Sequence, residues 1–286
     1  MVTDMTVFEL QKKIENILRA GGCETPAFDA VCLLEDVGKI GRGRVPAARL
    51  LPLTLQQEEA VLKAAERRAA GEPLQYILGT WDFLDLTLEV GKGVLIPRPE
   101  TELLCQLAAE YLQVLPHKNM YDLCAGSGCV GLSVASLCPS ASVTAVELSE
   151  KAFSYLQRNI IRYPHLSVTA VQADILTEYD RFQGPIDAIV SNPPYIPTHD
   201  LNSLQREVQH EPRMALDGSE DGYRFYRVIA EKWLPKVSPN GFVAVEVGIG
   251  QAQTVAELFR AHGMTHTTVY PDFSGIDRIV LGTRRI

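Results

Sequence analysis

The chain has 286 residues, 46% of them apolar, and a net charge of −8 at pH 7. That is enough apolar material for two packed domains or one large one. The acidic balance argues against an extended phosphate-binding surface, which needs a surplus of Lys and Arg.

From the N-terminus, Met1–Phe8 shows neither a basic segment nor a long apolar one, so no secretory signal is expected. Phe8, Leu10, Ile14, Ile17 and Leu18 recur at helical spacing until Gly21-Gly22. Thr25-Pro26 reads as an N-cap with proline in the first turn, opening a second helix that runs to Gly38. Arg42–Pro52 is a basic connection, and Thr54-x-x-Gln57 is a capping box opening a third helix that ends at Gly71. Residues 1–75 are therefore expected to form a small helical bundle with no catalytic constellation of its own and a natural partner-binding role.

Leu84, Leu86, Leu88 and Val90 then alternate with polar residues, and Gly91-Lys92-Gly93 reads as a turn into Val94–Ile96. This predicted hairpin fills a linker over residues 76–97. Beyond it, residues 98–286 alternate strand and helix patterns, with strands at Met120–Cys124, Ser142–Val146, Ser167–Gln172, Ile186–Val190, Gly241–Glu246, Thr267–Tyr270 and Arg278–Leu281. Such alternation predicts an α/β, doubly wound, mostly parallel seven-stranded sheet, with ligands at the carboxyl ends of its strands. The cysteines at 23, 32, 105, 124, 129 and 138 form no Cys-x-x-Cys pair and do not cluster with histidines, so no metal site is expected. Scattered free cysteines fit a reducing cytoplasm, and the absence of any eighteen-residue apolar run predicts no membrane span.

The motifs fall at the predicted strand ends. Asp122-Leu-Cys-Ala-Gly126-Ser-Gly128, with Gly131, spells G-x-G-x-x-G, in which glycines let the backbone turn tightly against a ligand. Glu147 ends the second strand, where a carboxylate can accept from both hydroxyls of a ribose. That pattern alone suits NAD(P) and S-adenosylmethionine equally. Asp174 ends the third strand, positioned to accept from an adenine amine, although by itself it reads as a strand cap. Ser191-Asn192-Pro193-Pro194-Tyr195-Ile196 ends the fourth. Two prolines stiffen the chain and donate no hydrogen bond. They leave bare acceptors, the Asn192 side-chain oxygen and the Pro193 carbonyl, beside the flat face of Tyr195. That set can hold a planar NH2 group and stack on it. A plain proline-rich loop would also fit the tetrapeptide alone. The four strand ends together favour S-adenosylmethionine and an NH2-bearing substrate.

These residues resemble the class I S-adenosylmethionine-dependent methyltransferases. More narrowly, the chain is similar over nearly its full length to the peptide chain release factor glutamine N5-methyltransferases (the PrmC/HemK family). The likeness rests on Gly71-Glu-Pro-Leu-Gln-Tyr-Ile-Leu-Gly79, Ile96-Pro-Arg-Pro-Glu-Thr-Glu102, Asp122–Gly128, Asn192–Tyr195, Glu211-Pro-Arg-Met-Ala-Leu216 and Asp221-Gly-Tyr-Arg-Phe-Tyr-Arg227. Asn-Pro-Pro-Tyr alone is shared with enzymes that methylate adenine and guanine amines. The resemblance implies that the substrate is the glutamine of the Gly-Gly-Gln loop of translation release factors. It places the cofactor on Cys124, Ala125, Gly126, Ser127, Gly128, Glu147, Asp174, Ile175 and Asn192. It places the amide on Asn192, Pro193, Pro194 and Tyr195, with Asn192, Pro193 and Tyr195 catalytic. Cys124-Ala125 replace the family's common Gly-Thr, Glu147 stands for a common Asp, and Ile175 stands for a common aromatic. A monomer without stable nucleic-acid binding is expected.

The competing readings are a nucleic-acid amino-methyltransferase, an NAD(P) oxidoreductase and a non-catalytic binding protein. The acidic charge opposes the first, and the intact Asn-Pro-Pro-Tyr opposes the last. Arg98, Glu100 and Glu102 are expected to support the cofactor region or merely open a helix, Glu246 to cap a strand, and Asp272–Arg278 to shape the mouth of the site or simply turn.

Overall fold

The computed structural model describes residues 2–284. The chain separates into two compact units, one of Met1–Thr80 with Gln205–His210, the other of Trp81–Leu204 with Glu211–Ile286.

The first unit runs β1 (Val2–Thr6), α1 (Val7–Ala20), α2 (Pro26–Cys32), β2 (Pro52–Thr54), α3 (Leu55–Ala69) and α4 (Leu74–Leu78). Capping boxes close on Thr6 with Glu9 and on Thr54 with Gln57, the latter at the spacing the sequence predicts. To the expected helices of residues 1–75 the structure adds a short antiparallel ladder between β1 and β2. The reason is local: an N-cap residue has extended backbone. Thr6 (φ −80°, ψ 161°) and Thr54 (φ −78°, ψ 154°) both enter their helices that way, and the two extended leads pair. Thr25 does not cap α2 with its side chain; its hydroxyl donates to Asp29 Oδ1 at 2.8 Å instead.

Leu10, Ile14, Leu18, Leu33, Leu34 and Val61 form the interior of this unit. Within it lies a charge, Arg68, whose Nε donates to Asp29 Oδ2 at 2.7 Å and whose second nitrogen meets Glu207 Oε1 at 2.6 Å. Removing one partner of a buried pair commonly costs about 3–5 kcal/mol; with Glu207 still in place, Asp29→Ala should cost about 2 kcal/mol. The check is a urea midpoint that falls at unchanged m-value; an unmoved midpoint contradicts the assignment.

The second unit opens with a hairpin of β3 (Thr80–Phe83) and β4 (Leu86–Glu89). The predicted hairpin is therefore displaced by one strand: its turn is Leu84-Asp85, with Leu84 at φ 51°, and Val94–Ile96 is not a strand. Val94 and Ile96 bury their side chains instead of pairing their backbone. There follow α5 (Pro99–Gln113), β5 (Asn119–Leu123), α6 (Cys129–Leu137), β6 (Ser142–Glu147), α7 (Glu150–Arg162), β7 (Val168–Gln172) and β8 (Ile186–Ser191). The unit ends with α8 (Arg224–Val228), β9 (Val237–Glu246), α9 (Ala252–Ala261), β10 (His266–Pro271) and β11 (Asp277–Thr283).

Seven of these strands form one sheet in the order β10-β11-β9-β8-β5-β6-β7. Pairing is parallel from β9 through β7 and antiparallel at β11 and β10. Strand order reverses between β5 and β8, which lie side by side, and a crevice is expected at that point. Apolar layers cover both faces, one around Leu104, Leu132 and Phe242, the other around Trp233, Tyr226 and Phe259. Every residue of β8 is buried, as a central strand requires. Among the described residues, no helix is long and apolar enough to cross a membrane.

Candidate active site

A cavity of about 420 Å³ opens at the carboxyl ends of β5, β6 and β8. Its walls bring together Cys124, Ala125, Gly126, Ser127, Glu147, Asp174, Ile175, Asn192 and Pro194, all singled out in the sequence. Gly128, Pro193 and Tyr195 do not line it. Gly128 takes a left-handed conformation at the N-terminus of α6. Tyr195 turns its hydroxyl toward Glu246 Oε1, at 3.5 Å, in a setting where burial raises its pKa above the ordinary phenol value.

The glycine loop is held from below. Asp122 Oδ2 accepts from Gly131 N–H at 2.8 Å, so Asp122 buttresses the loop and does not line the cavity. Burial pushes its pKa up to about 8. Glu147 accepts from Gly126 N–H (2.8 Å) through one oxygen and from Ser149 N–H (2.7 Å) through the other. Each oxygen keeps a further lone pair for a ligand hydroxyl. Burial raises its pKa, opposed by those N–H donors. Asp174 caps its own turn, accepting from Leu176 N–H and Thr177 Oγ1, and still faces the cavity. Next to it, Ile175 gives its carbonyl to the buried Trp233 indole at 3.0 Å, which ties the cavity wall to the core.

Cys124 sits at φ 63°, the left-handed region that favours glycine, so this chain keeps a side chain at a point where the backbone geometry suits none.

The fourth strand end is braced by the loop that follows. Ile196 N–H donates to the Leu216 carbonyl and Gly218 N–H to that of Ile196. A side chain at Gly218 would stand 2.8 Å from the Tyr195 backbone, so only glycine lets the two segments meet. Gln251 donates to the Tyr195 carbonyl at 3.0 Å. Pro212, Met214 and Ala215 thereby join the cavity wall. Glu211 accepts from Ile96 N–H at 2.9 Å and pairs with Arg98, fixing the opposite wall. Glu102 faces the hairpin turn at Leu84 N–H (3.4 Å). Asp272 folds its turn on itself, accepting from Ser274 and Ile276 N–H and pairing with Arg278.

Three site residues were not singled out from the sequence. Thr101 lines the cavity and reaches Asn192 Nδ2 at 3.1 Å and Glu246 Oε2 at 2.6 Å. Asn159, fully buried on α7, donates to the Ser127 carbonyl at 2.9 Å and exchanges two hydrogen bonds with Glu89 of the hairpin. Tyr226 donates to the Glu246 carbonyl at 2.9 Å. The only sequence signal for Asn159 was a polar residue in the apolar stripe of an amphipathic helix. Among the described residues there is no group of three or more His, Cys, Asp or Glu side chains able to hold a metal.

Residues 101–217 match the Methyltransferase small domain. The hMettl16 catalytic domain, solved with a MAT2A 3'UTR hairpin, shares the fold at a TM-score of 0.57 and 14% identity, covering 78% of this chain and 82% of that one. Sheet order, switch-point cavity and strand-end motifs define a class I methyltransferase. Residues 9–79 match the PrmC N-terminal domain. A release factor glutamine methyltransferase of Moorella thermoacetica is 37% identical over 94% of this chain and 95% of its own length. That of Geobacter sulfurreducens is 43% identical over 81% and 80%. The chain belongs to the release factor glutamine methyltransferase family.

Proposed function

We propose that the chain transfers the methyl group of S-adenosylmethionine to the side-chain amide nitrogen of the Gly-Gly-Gln glutamine in peptide chain release factors. The observation that carries this reading is the shared cavity: the glycine loop, Glu147 and Asp174 face the same space as Asn192. The donor set suits the cofactor. Glu147 offers two acceptors to a ribose diol, Asp174 one to an adenine amine, and Ile175, Leu148 and Ala173 an apolar wall for the ring. Gly126 has open space where a side chain would stand, so a ligand can lie against its backbone.

When bound, the cofactor supplies an already activated methyl group, and the protein's task is alignment. A carboxamide nitrogen is a poor nucleophile, because its lone pair is delocalised into the carbonyl. Asn192 Oδ1, on the cavity wall, accepts an amide hydrogen, fixing the nitrogen and favouring positive charge as it develops there. Pro194 keeps that rim rigid, and Tyr195 closes the wall behind it and excludes water. The proton leaves after transfer, so no dedicated base is required. The partner is a protein substrate, and the first unit is the candidate for recognising it.

The test is mass spectrometry of a release factor incubated with the chain and S-adenosylmethionine, with RNA and DNA as parallel acceptors. One methyl group on the Gly-Gly-Gln glutamine is expected. Methyl appearing on nucleic acid alone would point to the amino-methyltransferase reading instead.

A further inference from the structure

The Asn192 clamp works only if its oxygen, not its NH2, faces the cavity. A carboxamide is nearly symmetric in shape, so the choice must be imposed by neighbours. Two buried groups supply it. Glu246, at the carboxyl end of β9, is 2% exposed, and Thr101, in the first turn of α5, is 1% exposed. The Thr101 hydroxyl lies 2.6 Å from Glu246 Oε2 and 3.1 Å from Asn192 Nδ2.

We propose that Glu246 and Thr101 form a positioning relay that locks the Asn192 carboxamide with its oxygen toward the substrate. This rests on the amide-methylation reading above and deepens it. Ionised Glu246 can only accept, so the single Thr101 proton is committed to it. The Thr101 oxygen then has only lone pairs left for Asn192, and only the Asn192 NH2 can satisfy them. The cavity side of Asn192 is left with acceptors alone. Asn192 therefore selects a substrate that brings a hydrogen on nitrogen. A carboxylate or ester at the same place leaves that acceptor unpaired. A reversed Asn192 would turn its NH2 on the incoming amide and block it.

The relay is held on every side. Tyr226 donates to the Glu246 backbone carbonyl, and the Tyr195 hydroxyl faces Glu246 Oε1. Arg98 and Glu100 of the α5 segment, Arg278 of β11, and the thiols of Cys105 on α5 and Cys129 on α6 are the other charged or titratable groups around the carboxylate. Burial outweighs the Thr101 hydrogen bond and the two arginines and brings the Glu246 pKa up to about 7. The ionised, direction-setting form is therefore gained as pH rises through 7, and kcat should rise with it.

The experiment compares wild type with Thr101→Val, Thr101→Ser and Glu246→Gln, measuring kcat and KM for a release factor across pH 6–9 and cofactor affinity by calorimetry. Thr101→Val should lower kcat about 50-fold, the size of one charge-assisted hydrogen bond, with cofactor affinity within about twofold. Thr101→Ser should recover most of the loss, since it restores the hydroxyl. Glu246→Gln should lower the plateau and abolish the rise near pH 7. Wild-type kcat in Thr101→Val overturns the relay, as does equal loss in the Ser and Val variants or a pH limb that persists in Glu246→Gln. Should Thr101→Val fail to fold, the pH profile of Glu246→Gln and the kcat of Thr101→Ser decide. Failure of the wild-type enzyme to methylate the release factor overturns the amide-methylation reading instead, so the two failures are separable.

Discussion

Asn192→Ala is expected to lower methyl transfer about 1,000-fold while cofactor affinity stays within a few fold. Losing one preorganised group aimed at developing charge costs on the order of 100- to 1,000-fold. Here the loss is at the upper end, because the truncation removes an acceptor and also unlocks the nitrogen it aligned. Cofactor affinity should survive because Glu147, Asp174 and the glycine loop remain, and their hydrogen bonds do not pass through Asn192. The measurement is single-turnover methylation of a release factor alongside calorimetric titration with S-adenosylmethionine. Equal loss in both would mean that Asn192 serves the cofactor pocket and not the amide.

Glu147→Ala should have the opposite signature, a cofactor Kd raised about 100-fold and a much smaller effect on turnover at saturation. A hydrogen bond to a charged group contributes about 1.5–3 kcal/mol, which is about ten- to a hundredfold in binding. Glu147 also accepts from Gly126 and Ser149 N–H inside the protein, so the loop loosens as well. Thermal melts with and without S-adenosylmethionine separate the two contributions. The unliganded melt reports the loop, and the ligand-induced shift reports affinity. A full shift in the variant would place the ribose elsewhere.

The parts of the site that could be read from sequence share a property: each is a short contiguous motif at a strand end. The glycine loop, Glu147, Asp174 and Asn-Pro-Pro-Tyr carry their geometry in local backbone rules, and the alternation of strand and helix patterns brings their strand ends to one side of the sheet. What was not legible depends on contacts between distant segments. Thr101 and Glu246 are 145 residues apart, and the Thr in Arg98-Pro-Glu-Thr-Glu102 stands among three charged residues that draw attention first. Asn159 looks like an ordinary interruption of an apolar stripe until α7 packs beside the loop. The position of the hairpin turn is hard to read because Gly91-Lys92-Gly93 has better turn chemistry than Leu84-Asp85. Only the side-chain burial of Val94 and Ile96, together with the Glu102 contact at Leu84, decides between them. The β1–β2 ladder was hidden for a related reason: each strand is the lead into a capping box, and nothing local says the two leads meet.

Because Gln205–His210 belong to the first unit, the chain passes from one unit to the other three times. Within that unit, Arg206 donates to the Ala69 carbonyl at 3.5 Å and to that of Ala70, and Glu207 is the second anion on Arg68. A protease nick near residue 80 would thus not release an independent N-terminal piece. The larger fragment would still carry the six residues that complete the smaller one, and the two should co-elute until denatured.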